Sequence, residues 1–312
     1  MAENSKIEWT HHTANLWWGC TNVHEGCDNC YAERLAHRYG TEWGNAAPRK
    51  MLKKSLTQFM GMQAKAAAVG EVHRVFVGSM MDIFEKDMPL INHEGKPAID
   101  ASDGSPIGTD HLRQRFFLET VPACPNLLFL LLTKRPSNIN KMIPQEWKTS
   151  PPKNVMFGAS VVNPKTALDV HRHLSKVEGR LFLSVEPQLS FINFDNGEIL
   201  RRIEWLIQGG ESGPGKRPFD TNWARHTRAV CEQRGVHYFF KQVDKIQDIP
   251  DDLMIRQFPE TQATCPECGK LGAIIQPPDQ YEGWCLNCAR ADATADSQAY
   301  DYRTEQIHGD GY

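Results

Sequence analysis

The chain lacks any long apolar run. Its longest, residues 127–132, has the length of a buried strand. Spanning a bilayer takes about 20 apolar residues, so no membrane helix is expected. The opening residues, MAENSKIEWT, hold no apolar signal-peptide core, which points to the cytoplasm. A strong charge excess is also missing. The formal net charge is −3, so no global attraction to nucleic acid is implied. The clearest local basic cluster, Arg49, Lys50, Lys53 and Lys54, reads as a solvated face, with phosphate contact as the alternative. Hydrophobic content of 40% and charged content of 23% suit a globular enzyme. The length of 312 residues suits one large domain and a small one.

Cysteine is not scarce. Nine are present, and in a reducing compartment they point to metal or catalysis before disulfides. Cys20, Cys27 and Cys30 lie in GCTNVHEGCDNCYAERLA with spacing C-x6-C-x2-C. A structural zinc wants four protein ligands, and a [4Fe–4S] cluster normally takes four cysteines. A cluster held by three leaves one iron open to a small molecule. That is the arrangement needed for reductive cleavage of S-adenosylmethionine (SAM). A Cys3His zinc site using His24 and a set of uncoordinated thiols are the alternatives. His24 lies between the cysteines, at awkward spacing for closing a tetrahedron with all three.

Short apolar runs alternate with helical patterns. The runs begin RVFVGSMMD at Arg74, LLFLLLTKRP at Leu127, VMFGASVV at Val155, RLFLSVEP at Arg180, EWLIQGGES at Glu204 and VHYFFKQ at Val236. Apolar on both faces, they read as strands of a covered parallel sheet. A seventh strand is expected at residues 15–18. Helices are expected at residues 163–177, opened by Asn-Pro, and at Thr221–Arg234, opened by a Thr cap and stopped by Gly235. Trp223, Thr227, Val230 and Cys231 share one face of the second helix, which makes Cys231 a core residue. Cys124 sits in a turn and is given no role.

Six or seven β/α units imply an α/β fold: a doubly wound sheet or a barrel, complete or partial. In either, loops at the C-terminal strand ends build the site. Polar residues gather there: Ser79 and Asp82, then Thr133, Lys134 and Arg135, then Ser160, Glu186, Gln208 to Ser212, and finally Lys241 and Gln242. Six strands ending this way favour a shared pocket. Residues 90–110 are polar and rich in Gly and Pro. They read as an insertion, either a lid or a passive excursion.

Near the C-terminus, Cys265, Cys268, Cys285 and Cys288 form C-x2-C-x16-C-x2-C. Two such knuckles read as a zinc ribbon over residues 261–290. Four thiolates fill a tetrahedral zinc and leave no open position, so its role is expected to be structural. A second iron–sulfur cluster is the competing reading. Nucleic-acid binding, partner binding and capping the barrel are the tasks open to such a module. From Ala289 five acids stand against Arg290 and Arg303, and residues 291–312 are expected to form a disordered tail.

The run KIEWTHHTANLWWGC…GC..CYAERLA resembles a radical-SAM-like family known from phages and prophages, the three-Cys-motif proteins. The likeness continues through VFVGSMMDIF, LLLTKRP, LSVEPQL, IQGGESGPGKRPF and FFKQ, to near QFPE. It covers roughly residues 6 to 259, in order. The usual radical-SAM spacing is C-x3-C-x2-C, and this chain has six residues in the first gap, as this family does. The insertion and the C-terminal cysteines lie outside the resemblance.

The resemblance implies a partial (β/α)6 radical SAM barrel over residues 1–260. It implies a [4Fe–4S] cluster on Cys20, Cys27 and Cys30, with SAM on the open iron. One electron would cleave the sulfonium bond and release a 5′-deoxyadenosyl radical. An external electron donor such as a flavodoxin or ferredoxin is implied. By the same analogy Ser79 and Asp82 would hold the SAM amino group, Lys134 with Thr133 its carboxylate, and Ser160 and Glu186 the ribose. Some phages attach amino acids to 5-hydroxymethyluracil in DNA and then remodel the adduct. The chain is thus a candidate isomerase of an amino-acid adduct on the thymine 5-methylene of phage DNA or a nucleoside, working in the host cytoplasm. Gln208, Glu211, Arg217 and Lys241 are the candidate amino-acid grip. A radical SAM enzyme of DNA repair or tRNA modification, and a non-catalytic zinc-dependent nucleic-acid-binding protein, are the other readings.

Overall fold

The computed structural model describes residues 2–3, 5–195 and 197–259. The strands are β1 (Ala2–Glu3), β2 (His12–Ala14), β3 (Trp17–Trp18), β4 (Arg49–Met51), β5 (His73–Val77), β6 (Leu90–Ile91), β7 (Leu127–Thr133), β8 (Val155–Ser160), β9 (Arg180–Val185), β10 (Ile203–Gly209) and β11 (His237–Gln242). The helices are α1 (Tyr31–Arg38), α2 (Gln58–Val69), α3 (Thr109–Arg115), α4 (Ile139–Met142), α5 (Pro164–Leu174) and α6 (Thr221–Arg234). The main sheet has the order β1-β2-β5-β7-β8-β9-β10-β11. From β2 to β11 all neighbours are parallel, and β1 is an antiparallel edge. The seven parallel strands curl into a half-barrel, which bears out the expected α/β architecture.

Period-two alternation sorts the strand residues onto two faces. Phe129 and Leu131 of β7, Phe157 of β8 and Leu183 of β9 join the larger core under the helices. Leu128, Leu130, Met156, Phe182, Trp205, Ile207 and Phe239 pack on the concave face with Trp9 and Phe76. Phe258 returns across the N-terminal ends of the strands, where Trp205 and Phe239 meet its ring and Arg74 stacks on it at 4.0 Å. That end of the half-barrel is thereby plugged, and the C-terminal strand ends remain for a site.

The first parallel strand lies at His12–Ala14, ahead of the expected residues 15–18. Trp17–Trp18 belongs instead to a small sheet of order β3-β4-β6. Thr10 and His12 are buried: Thr10 Oγ1 donates to the His12 and Arg74 carbonyls, and His12 Nε2 meets His73 Nδ1 at 3.0 Å. Helix α5 has its expected Asn163 cap, completed by a reciprocal bond with Thr166. Helix α6 is capped by Asp220 rather than by Thr221. Ala224, Thr227, Val230 and Cys231 make its buried face, and Trp223 is only half-buried.

Residues 90–108 form an ordered excursion. Ala98 N–H donates to the Leu90 carbonyl, Ile107 N–H to the Ala98 carbonyl, and Asn92 and Asp100 close turns with Lys96 and Ser105. Among the described residues no helix is long and apolar enough to cross a membrane. Cys265, Cys268, Cys285, Cys288 and the expected tail lie outside the described residues.

Candidate functional site

Each of the three N-terminal cysteines leaves or enters a defined element. Cys20 follows β3 across Gly19, whose φ of +122° excludes most side chains. A Cβ there would also lie 2.6 Å from Arg49 Cδ. Cys27 ends a 3-10 turn capped by His24, whose Nδ1 accepts the Gly26 N–H at 3.1 Å. Cys30 caps α1, so its sulfur stands at the positive end of a helix dipole.

The loop that carries them is tied to the rim of the sheet at four places. After β5, the Ser79 carbonyl accepts from Tyr31 Oη at 2.6 Å. After β7, Arg135 Nη2 donates to the Thr21 carbonyl at 2.6 Å. After β8, the Asn163 amide meets the Glu25 carboxylate. After β10, Glu211 accepts from Asn29 Nδ2 at 2.8 Å, Arg217 donates to the Glu25 carbonyl at 3.1 Å, and Arg34 donates to the Pro214 carbonyl at 3.0 Å. Three cysteines and the strand ends are thus parts of one frame, although they are distant in sequence.

Between loop and sheet lies a cavity of about 350 Å³. Cys20, Cys27, Cys30, Ser79, Asp82, Thr133, Lys134, Ser160, Glu186, Glu211 and Lys241 all line it. Trp9, Phe76 and Leu132 supply an apolar wall from the concave face. Of the candidate site residues in the described chain, Gln208 and Arg217 do not line it. Gln208 points to the helix side, where its amide donates to Gln188 and Thr227 and its carbonyl accepts from Tyr238 Oη. Arg217 stands behind Glu211 and holds it from the main chain and from both ends of its guanidinium. No residue of the excursion lines the cavity, so in this conformation it is a surface feature and not a lid.

The charges fall into three kinds. Asp82 is saturated: its oxygens accept from Phe84 N (3.0 Å), Thr133 Oγ1 (2.7 Å), Lys134 N (3.1 Å) and Arg135 Nη1 (2.8 Å). Glu211 is saturated too; burial pushes its carboxyl up, but hydrogen bonds from Arg217 and Asn29 hold it below the ordinary value. Among the described residues Glu186 and Lys241 pair only with each other. The Lys134 ammonium makes no ion pair among the described residues. Its field, after burial, lowers His24 to about 4.

Beneath Cys20 lies a second layer. Arg135 Nη1 stands 3.6 Å from Cys20 Sγ. Arg49 is fully buried and grips Glu85 with two bonds, at 2.9 and 2.7 Å, while Nη2 also donates to Thr21 Oγ1 and Nη1 donates to the Gly44 and Ala47 carbonyls. The expectation of a solvated basic face therefore fails for Arg49, because Glu85 supplies a buried partner; Lys53 and Lys54 are exposed as expected. Burial, then the Asp82 carboxylate, pushes the Cys20 thiol up to about 12, with Arg135 opposing. A thiol in that state is a poor free nucleophile, but metal coordination deprotonates it outright.

Sequence reasoning missed Ser184, Asn29, Tyr31, Trp43 and Lys245, all of which line the cavity. Ser184 was legible: by period two it shares a face with Phe182 and Glu186. Asn29 and Tyr31 sit within the cysteine motif itself and carry no separate signal. Among the described residues no three of His, Cys, Asp and Glu are grouped to hold a single metal ion. The donor chemistry suits an iron–sulfur cluster: three reduced thiols, soft ligands, line one cavity beside cationic Arg135.

The chain matches the family model described as "Protein of unknown function (DUF5131)" over residues 4–94 and 107–304. The chain belongs to the DUF5131 family. The family pattern skips residues 95–106, the outer part of the excursion, which agrees with an insertion. It does include the C-terminal cysteines, which sequence reasoning had set outside the shared core. Comparison with curated proteins and with solved structures gave no match.

Proposed function

We propose that this DUF5131 protein is a radical SAM enzyme whose reaction takes place in the cavity between the cysteine loop and the half-barrel. The observation that carries this reading is the convergence of Cys20, Cys27 and Cys30 with eight strand-end residues on one cavity. When bound, a [4Fe–4S] cluster held by the three thiolates supplies one electron to SAM and so generates the 5′-deoxyadenosyl radical.

The chain's own residues bind, orient and exclude water. Lys134, which makes no ion pair among the described residues, would take the SAM carboxylate, a charge-assisted contact worth about 1.5–3 kcal/mol. Asp82 acts at one remove. With both oxygens filled, it fixes the Thr133-Lys134-Arg135 turn instead of receiving the SAM amino group itself. Ser79, Ser160 and Ser184 offer hydroxyls around the cavity. Trp9, Phe76 and Leu132 keep its inner wall dry.

The substrate we propose is an amino acid carried on the thymine 5-methylene of DNA or of a nucleoside, isomerised in place in the cytoplasm, with a flavodoxin or ferredoxin as electron donor. The C-terminal cysteines would hold a structural zinc. The test is anaerobic incubation of reconstituted enzyme with SAM, reductant and an adduct deuterated at the amino-acid α-carbon. Deuterium in 5′-deoxyadenosine and a product of unchanged mass are expected. Label kept wholly in the adduct, with 5′-deoxyadenosine formed at the substrate-free rate, rules out this substrate and favours a repair or RNA substrate.

A further inference from the structure

The charged side chains lining the cavity are Asp82, Lys134, Glu186, Glu211, Lys241 and Lys245. Asp82 has four donors and Glu211 is enclosed by Asn29 and Arg217. Glu186 and Lys241 differ, because among the described residues each has only the other as a side-chain partner. They stand at the ends of β9 and β11, on either side of β10. Between them β10 ends at Gly209 and is followed by Gly210, and neither carries a side chain. The pair is half-buried, with 17% and 18% of the two side chains exposed.

Such a pair selects by net charge. A ligand with only an ammonium would take Glu186 and leave Lys241 partly desolvated and uncompensated. A ligand with only a carboxylate would strand Glu186 in the same way. In either case the stranded charge cancels the benefit of the new ion pair. A ligand carrying both charges on one carbon replaces one ion pair by two charge-assisted interactions and strands nothing. We propose that Glu186 and Lys241 form an exchangeable receptor for a zwitterionic α-amino-acid group, with Glu186 taking the ammonium and Lys241 the carboxylate. The inference deepens the proposed function and rests on its reading of this cavity as the reaction site. Two ligands present this chemistry: the methionyl end of SAM and an amino-acid-bearing nucleoside.

Calorimetric titration of the full chain tests the receptor. One set of probes is 2′-deoxyuridine carrying a methylene-linked glycine, an aminomethyl group or a carboxymethyl group at C5. The other is S-adenosylhomocysteine against 5′-deoxy-5′-methylthioadenosine, which lacks the amino-acid end. At least one zwitterion should bind about ten- to a hundredfold tighter than its incompletely charged counterparts. Lys241→Met and Glu186→Gln should each abolish that preference, and Lys241→Arg should keep it. Loss confined to S-adenosylhomocysteine assigns the receptor to the cofactor; loss confined to the glycyl nucleoside assigns it to the substrate. Should a variant fail to fold, the wild-type protein still decides, since zwitterions bound no tighter than the other probes overturn the proposal. So does a preference that survives in both variants. Cluster assembly and SAM cleavage are not read by these titrations, so failure of the receptor and failure of the radical SAM reading are separate results.

Discussion

Asp82→Asn separates a frame residue from a ligand-binding one. Asp82 is 5% exposed, and its two oxygens accept four hydrogen bonds, one of them from Arg135 at 2.8 Å. Asparagine keeps one acceptor oxygen and turns the other into a donor, so two of the four N–H or O–H groups face an amide N–H₂. Arg135 keeps the Thr21 carbonyl, but its one remaining carboxylate among the described residues is Glu85, 3.5 Å away and already gripped by Arg49. Breaking a buried pair in this way costs about 3–5 kcal/mol. That is a large share of a total stability of about 5–15 kcal/mol. Urea unfolding followed by tryptophan fluorescence reads the difference. Ser79→Ala is the control: it removes one acceptor, from Asn15 Nδ2 at 2.8 Å, for about 0.5–1.5 kcal/mol. If Asp82→Asn matched wild type within about 0.5 kcal/mol and lost only SAM affinity, the frame argument would be wrong and Asp82 would be a free ligand carboxylate.

Other expectations follow from the same geometry. Gln208→Ala strands the Gln188 carbonyl oxygen and takes one partner each from Thr227 and Tyr238 in the helix-side core, and should cost about 1–3 kcal/mol in urea unfolding while leaving SAM and nucleoside affinities unchanged. His11 is lowered to about 4, first by burial and then by Arg74, against 6.5 for an ordinary histidine. Between pH 6.5 and 4 the unfolded chain therefore binds a proton that the folded one refuses. Stability should be full above that window and fall as pH drops through it, with a shallower fall in His11→Gln by urea titration at several pH values. Glu211→Gln should loosen Arg217 and Asn29, weakening the tether of the cysteine loop by about 1.5–3 kcal/mol. Iron retained after reconstitution should decrease while far-ultraviolet circular dichroism stays unchanged.

The strands were legible where apolar runs ended in polar residues, because a parallel sheet covered on both faces demands that pattern. β2 was not, because its His12 and Thr13 are polar and are accommodated by long-range bonds to β5 and its flank. The cavity was legible because strand ends converge whatever the side chains are. Which side chains enter it depends on parity and on partners. Gln208 alternates with Ile207 of the concave face and shares a face with Leu206 of the helix-side core. Parity alone could have set it aside. Arg49 and Asp82 could not be read in that way, since the groups that bury or saturate them, Glu85 and the Thr133-Lys134-Arg135 turn, are far off in sequence.

The central claim is that Cys20, Cys27 and Cys30 hold an iron–sulfur cluster. The most direct measurement is iron and sulfide content, with electron paramagnetic resonance, of anaerobically reconstituted protein and of a Cys20→Ala, Cys27→Ala, Cys30→Ala variant. The account predicts about four irons and four sulfides at this site, a paramagnetic signal on one-electron reduction, and loss of both in the variant. Zinc bound by the triplet in anaerobically prepared protein, or iron and signal undiminished in the variant, would contradict it.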